Sequence, residues 1–198
     1  MGTWFHEMGH GLTALLLGGD FKYLEIYENG GGVAYFTLTN KWFPIHIGKA
    51  ITAAGGLLGP AIAGSILIST AKSTKYASIL LRVLTGVIIL SLIIWIRSYW
   101  GIIVLSAFVL VFVIIMLLKN KQIETVTVLF LGLQCVFSTY LQLDYLFTKQ
   151  FERDGAIRIS DTQAIAENTF GNYWIWAVFI LFLSVVLLWK SIVFYFKR

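Results

Sequence analysis

Thr3-Trp4-Phe5-His6-Glu7-Met8-Gly9-His10-Gly11-Leu12 contains the pattern H-E-x-x-H. On a helix, positions i and i+4 share one face, so His6 and His10 can both point at one metal ion. Neutral imidazoles are good zinc ligands, and two of them leave room for a third ligand and a water. Glu7 is next to His6 and cannot join the pair in the same helical geometry. It is placed to take a proton from a water whose pKa zinc lowers towards ~7. Two histidines flanking a helical turn would give the same short pattern, so the surroundings decide between the readings. Leu12 to Leu17 is apolar apart from Thr13, and Gly18-Gly19 ends the helix. An ionisable cluster in an apolar helix is costly, and it marks a functional site by default.

The composition fits that setting. The chain is 58% hydrophobic and 16% aromatic, with a mean hydropathy of +0.81. Charged residues make up 13%, about half the usual share, which excludes an ordinary soluble globule. Several apolar runs reach ~20 residues, enough to cross a bilayer. In such a chain the net charge of +5 speaks for lipid headgroups and topology, not for a nucleic-acid partner. Cys135 is the single cysteine, so no intrachain disulfide forms. The first helix has no basic n-region, so no cleavable signal peptide is expected. At 198 residues the chain reads as a single membrane-embedded domain, residues 1–198. The motif begins so close to Met1 that a truncated or misplaced start is expected.

The elements follow in order. Thr3 to Leu17 is a first helix, short of the ~20 residues needed to span. Residues 21–38 read as a β-hairpin turning at Asn29-Gly30-Gly31-Gly32, and its edge strand could pair with an extended peptide. Apolar helices are expected at Pro44 to Thr70, Tyr76 to Ile96, Trp100 to Leu118, Ile123 to Phe147 and Tyr173 to Phe196. The first of these carries Gly55, Gly56, Gly59, Pro60 and Gly64, which suits close helix packing and equally a backbone near the active site. His46, at its start, reads as a surface histidine. Between the last two helices, Lys149 to Asn172 is polar, and Ser160-Asp161-Thr162-Gln163 caps a short helix. The fold class is therefore an all-α membrane protein, with about six transmembrane helices and a small β-hairpin after the first.

A catalytic zinc takes three protein ligands and an open position. The acids in reach are Asp144, near the end of the helix over Ile123 to Phe147, and Asp161. At ~1.5 Å per residue, His10 lies ~10 Å and Asp144 ~6 Å from the face that carries the hairpin. The depths match, so the count favours Asp144. Asp161 is the alternative third ligand, and it requires its loop to dip back into the bundle.

The sequence resembles the intramembrane zinc metalloproteases of the site-2 protease superfamily, most of all the compact bacterial branch without a PDZ domain. The resemblance is carried by Phe5-His6-Glu7-Met8-Gly9-His10-Gly11-Leu12-Thr13-Ala14-Leu15 with Gly18-Gly19, by the hairpin, and by Ala54-Gly55-Gly56-Leu57-Leu58-Gly59-Pro60. Leu143-Asp144-Tyr145-Leu146 and Ser160-Asp161-Thr162-Gln163-Ala164 match more weakly. The resemblance implies Zn2+ held by His6, His10 and a distant aspartate, with Glu7 as catalytic base. It also implies a multi-pass protein of a bacterial plasma membrane whose hairpin face is cytoplasmic. The substrate would be a membrane-embedded peptide or protein, in regulated intramembrane proteolysis. The family's D-G pair has one counterpart here, Asp154-Gly155 in a charged loop, and it is not taken as the ligand. The rival reading is a metal-binding membrane protein without hydrolytic activity. Glu7 argues against it, because metal binding alone needs no base. A small-solute transporter fits less well, since the chain shows no inverted repeat.

Overall fold

The computed structural model describes residues 1–41, 43–153 and 156–197. Helix α1 (Gly2–Leu16) is followed by the hairpin β1 (Asp20–Ile26) and β2 (Gly32–Thr37). Then come α2 (Ile45–Thr70), α3 (Thr74–Ile94), α4 (Tyr99–Leu117) and α5 (Lys121–Leu141). A one-turn helix α6 (Leu143–Leu146) leads to a second hairpin, β3 (Gln150–Arg153) and β4 (Ala156–Ile159). Helices α7 (Asp161–Asn168) and α8 (Tyr173–Phe196) complete the chain.

Among the described residues, five helices, α2, α3, α4, α5 and α8, are long and apolar enough to cross a membrane. Leu110, Leu117, Phe182 and Trp189 are among their many exposed apolar side chains, an outward face suited to lipid. Helix α1 has 15 residues, or about 22 Å of rise, and it is sheltered within the bundle. One of its faces sends Trp4 and Met8 into the core, where Trp4 Nε1 donates to Ser91 Oγ at 3.0 Å. The chain is a multi-pass integral membrane protein of helical class.

The helix stops at Leu17, and Gly18 follows in the left-handed region at φ 79°, where glycine carries no steric penalty. The first hairpin turns as its sequence predicts. Asn29 Oδ1 accepts from the Gly31 N–H at 3.0 Å, and Gly30 takes φ 81°. Strand β1 is covered on both edges. Leu24 N–H donates to the Trp95 carbonyl at 2.8 Å, and Arg97 N–H donates to the Leu24 carbonyl at 3.1 Å. Among the described residues, no strand pairs with the outer edge of β2.

Helix α2 is the axis of the bundle and meets its neighbours backbone to backbone. A Cβ on Gly9 would overlap the Gly55 carbonyl oxygen, and one on Gly59 would press on the Phe5 carbonyl at 2.6 Å. Further along, a Cβ on Gly64 would stand 2.7 Å from the Gly132 carbonyl of α5. Both sequence readings of these glycines hold at once, because a Cβ on Gly56 would run into the His10 ring. Substituting Gly9→Ala forces α1 away from α2 and should cost roughly 1–3 kcal/mol of stability. Gly86 on α3 has open space around it, so Gly86→Ala should be neutral or stabilising. Thermal unfolding of both variants in detergent checks the contrast.

Candidate metal centre

Helix α1 brings His6 and His10 together as their spacing predicts, with the two Nε2 atoms 3.1 Å apart. The His10 Nδ1 faces the Thr52 carbonyl of α2 at 2.9 Å. A ring that donates there keeps its Nε2 lone pair for a ligand role. The carbonyl can accept this second bond because it has two lone pairs, and because Gly56, one turn on, puts no side chain in the way. Phe36 of β2 stacks on the far side of the His10 ring at 6.3 Å. His6 and His10 are fixed by different contacts, yet both Nε2 atoms converge.

The third group is Asp161. Its Oδ2 lies 3.2 Å from His6 Nε2 and 3.3 Å from His10 Nε2. His6, His10 and Asp161 are the group of potential ligands among the described residues whose atoms lie within 4.8 Å of one another. In a tetrahedral zinc site with bonds of ~2.0–2.1 Å, ligand atoms stand about 3.3 Å apart. The observed triangle of 3.1, 3.2 and 3.3 Å has those edges. The donor set of two imidazoles and a carboxylate also suits zinc. Burial alone would raise the Asp161 carboxyl, but the charge and hydrogen bonds of His10 and His6 outweigh it and hold it well below the usual carboxylate range.

Asp144 is not brought to the histidines. It is exposed, and its backbone carbonyl accepts from Thr148 Oγ1 at 2.5 Å. The depth count assumed one helix from Ile123 to Phe147. The helix instead ends at Leu141, Gln142 leaves helical geometry, and a fresh turn begins at Leu143. That break changes the phase, turning Leu146 into the core and leaving Asp144 outside. The polar segment does the reverse. Thr162 Oγ1 donates to the Leu146 carbonyl at 2.9 Å, and Ser160 Oγ caps α7 by accepting from the Gln163 N–H at 3.2 Å. Both side chains are fully buried. Helix α7 lies against α2 and α8, with Ile165 packed in a cluster with Leu57 and Ala177. Asp161, its first residue, is thereby held at the histidine pair. His46 is exposed on the first turn of α2 and takes no part. Asp154-Gly155 lies outside the described residues.

Glu7 is buried at 5% exposure. It opens, with His6, onto two cavities of about 740 and 440 Å³ that also share Gly32, Tyr145 and Phe151. Gly32 passes so close that an added Cβ would stand 2.7 Å from Glu7 Cγ, so a larger residue there would push on the Glu7 side chain that the hairpin covers. The turn is tied down by Thr3 Oγ1, which donates to the Gly30 carbonyl at 2.6 Å. The larger cavity adds Glu28, Trp100 and Glu152, and the smaller one adds Lys49, Arg158 and Glu167. A buried carboxylate beside a two-histidine, one-carboxylate triad, on the wall of open cavities, is equipped for proton transfer to and from a substrate.

Two parts of this site escaped the sequence reading. No motif marks the Thr52 carbonyl. Tyr145 lies inside the quoted Leu143-Asp144-Tyr145-Leu146, and its hydroxyl donates to Asp161 Oδ2 at 3.0 Å. The weakly matching turn thus meets the histidine pair through Tyr145, while its Asp144 faces outward.

No curated protein and no solved structure matches the chain. The family model described as peptidase M50B-like matches residues 1–191 of the 198. With its apolar bundle and the cluster on α1 and α7, this chain belongs to the peptidase M50B-like family, within the site-2 protease superfamily.

Proposed function

We propose that the protein is a zinc metalloendopeptidase that cleaves peptide bonds within or next to the membrane. The observation that carries this reading is the ligand triangle of His6, His10 and Asp161 with Glu7 beside it. Zinc held there would act as a Lewis acid towards the scissile carbonyl and acidify a water. Glu7 takes the proton from the attacking water and delivers it to the leaving amine. Its burial under Gly32 keeps the carboxylate in place for both transfers. Thr52 and Phe36 hold the His10 ring, and α7 holds Asp161, so the residues need little reorganisation.

The open edge of β2 supports a path for the substrate. Leu24 directs its N–H and carbonyl away from β2, so it forms a non-hydrogen-bonded pair with Ala34. Ala34 then presents its own N–H and carbonyl to the open edge, on the side of the 440 Å³ cavity that it lines with His6, Glu7 and His10. An extended peptide pairing there would lie across the catalytic groups, and extended backbone is what a protease must bind. In a bacterial plasma membrane such an enzyme would serve regulated intramembrane proteolysis.

Three outcomes follow. Glu7→Gln should keep its zinc and lose roughly 10²–10⁴-fold in turnover, read by metal analysis beside cleavage of a membrane-anchored reporter. Full activity in that variant would favour a metal-binding protein without hydrolysis. Asp161→Ala should lose both zinc and cleavage, whereas Asp144→Ala should match wild type in both; metal loss confined to Asp144→Ala would overturn the ligand set. Ala34→Pro removes an edge N–H that β1 does not use. It should raise KM for extended reporters several-fold and leave zinc content unchanged, and an unaltered KM would discard the edge-strand path.

A further inference from the structure

Tyr145 stands where α6, α7 and the histidine pair meet, and its phenol makes two bonds to one residue. The hydroxyl donates to Asp161 Oδ2 at 3.0 Å, and the same oxygen accepts from the Asp161 backbone N–H at 3.3 Å. Oδ2 is also the oxygen that faces both histidines. The ring is fixed edge-on between His6 at 6.3 Å and Phe151 at 5.4 Å. Asp161 sits between Ser160 and Thr162, whose buried side chains fix the start of α7. It begins a helix of eight residues, at the end of a polar hairpin. The Ser160 and Thr162 bonds seat its main chain, and the phenol fixes its carboxylate through Oδ2.

We propose that Tyr145 is a positioning residue for the metal centre, hooking Asp161 so that its carboxylate is presented to His6 and His10 before any ion arrives. The proposal rests on Asp161 being the third ligand. The phenol orients that ligand as carboxylates orient ligating histidines elsewhere. It also gives the one-turn helix α6 a purpose. The chain leaves α5 at Gln142 and makes a separate turn, which aims Tyr145 at Asp161 and brings the Leu146 carbonyl to Thr162.

The test is Tyr145→Phe in the full chain, which removes the hydroxyl and keeps the ring. Zinc affinity, measured by chelator competition, should fall 10- to 100-fold. The visible absorption bands of the Co2+-loaded protein should shift, because the ligand field senses a reoriented carboxylate. Glu124→Gln, which weakens the ion pair between Arg82 of α3 and the buried Glu124 of α5, away from the centre, serves as the control. It should lower the melting temperature and leave the Co2+ bands in place. Tyr145→Phe protein with wild-type zinc affinity and unchanged Co2+ bands overturns the proposal. Wild-type protein that takes up neither metal overturns the centre itself, and the hook with it. If Tyr145→Phe proves too unstable to purify, fluorotyrosine in the wild-type sequence gives a second reading. The 19F resonance of residue 145 should move on adding zinc, and a resonance that stays still overturns the proposal equally.

Discussion

The close approach of α1 to α2 is the constraint on which the site depends. Side chains of ordinary size would hold two helices 8–10 Å apart. Gly9 against Gly55, and Gly59 against the Phe5 carbonyl, remove that spacing. Only at such a separation can the His10 ring lie over Gly56 and reach the Thr52 carbonyl. The glycines are commonly read as a device for helix association in lipid, where small residues gain van der Waals contact. Here the same contact also selects the imidazole nitrogen that faces the centre. Packing and chemistry use one surface, so a methyl group on it would disturb both.

That surface explains how far the sequence could be read. His6, Glu7 and His10 follow from one helix, whose geometry is local and periodic, and the glycines of α2 announce close packing by their spacing. The hairpin was legible for a similar reason, since Asn29-Gly30-Gly31 carries its own turn chemistry. Asp161 was not selected because its position is set by contacts far apart in sequence. Thr162 bonds to Leu146, and Ile165 packs with Leu57 and Ala177. No period or spacing encodes these contacts. The preference for Asp144 rested on an unbroken helix, and the apolar residues on either side of Gln142 give no warning that the helix stops at Leu141.

The irregular backbone between α5 and α7 is covered on one side only: Ile157 and Ile159 of β4 are exposed, whereas Leu146 and Ser160 are buried. Hairpins and loops at membrane depth need protein or a water-filled cavity around their polar groups. The second hairpin supplies Phe151 to the cavity walls, and the buried Ser160 hydroxyl caps α7. The cavities do more than relieve the backbone. Hydrolysis consumes water, and a centre sealed in hydrocarbon would have none.

Charge sets the last condition. Glu7 and Asp161 are two carboxylates facing one cavity in a bundle of low polarity, and negative charge buried there needs compensating positive charge. Protonating His6 and His10 would balance them, but protonated imidazoles donate and cannot act as ligands. At the proposed centre, a dication bound by neutral histidines would balance the same two negative charges and leave every ligand atom in its binding form. An ion of charge +2 at that position would suit both carboxylates at once. Glu7 lies outside the ligand triangle, and in the proposed reading its carboxylate would serve as base and not as ligand.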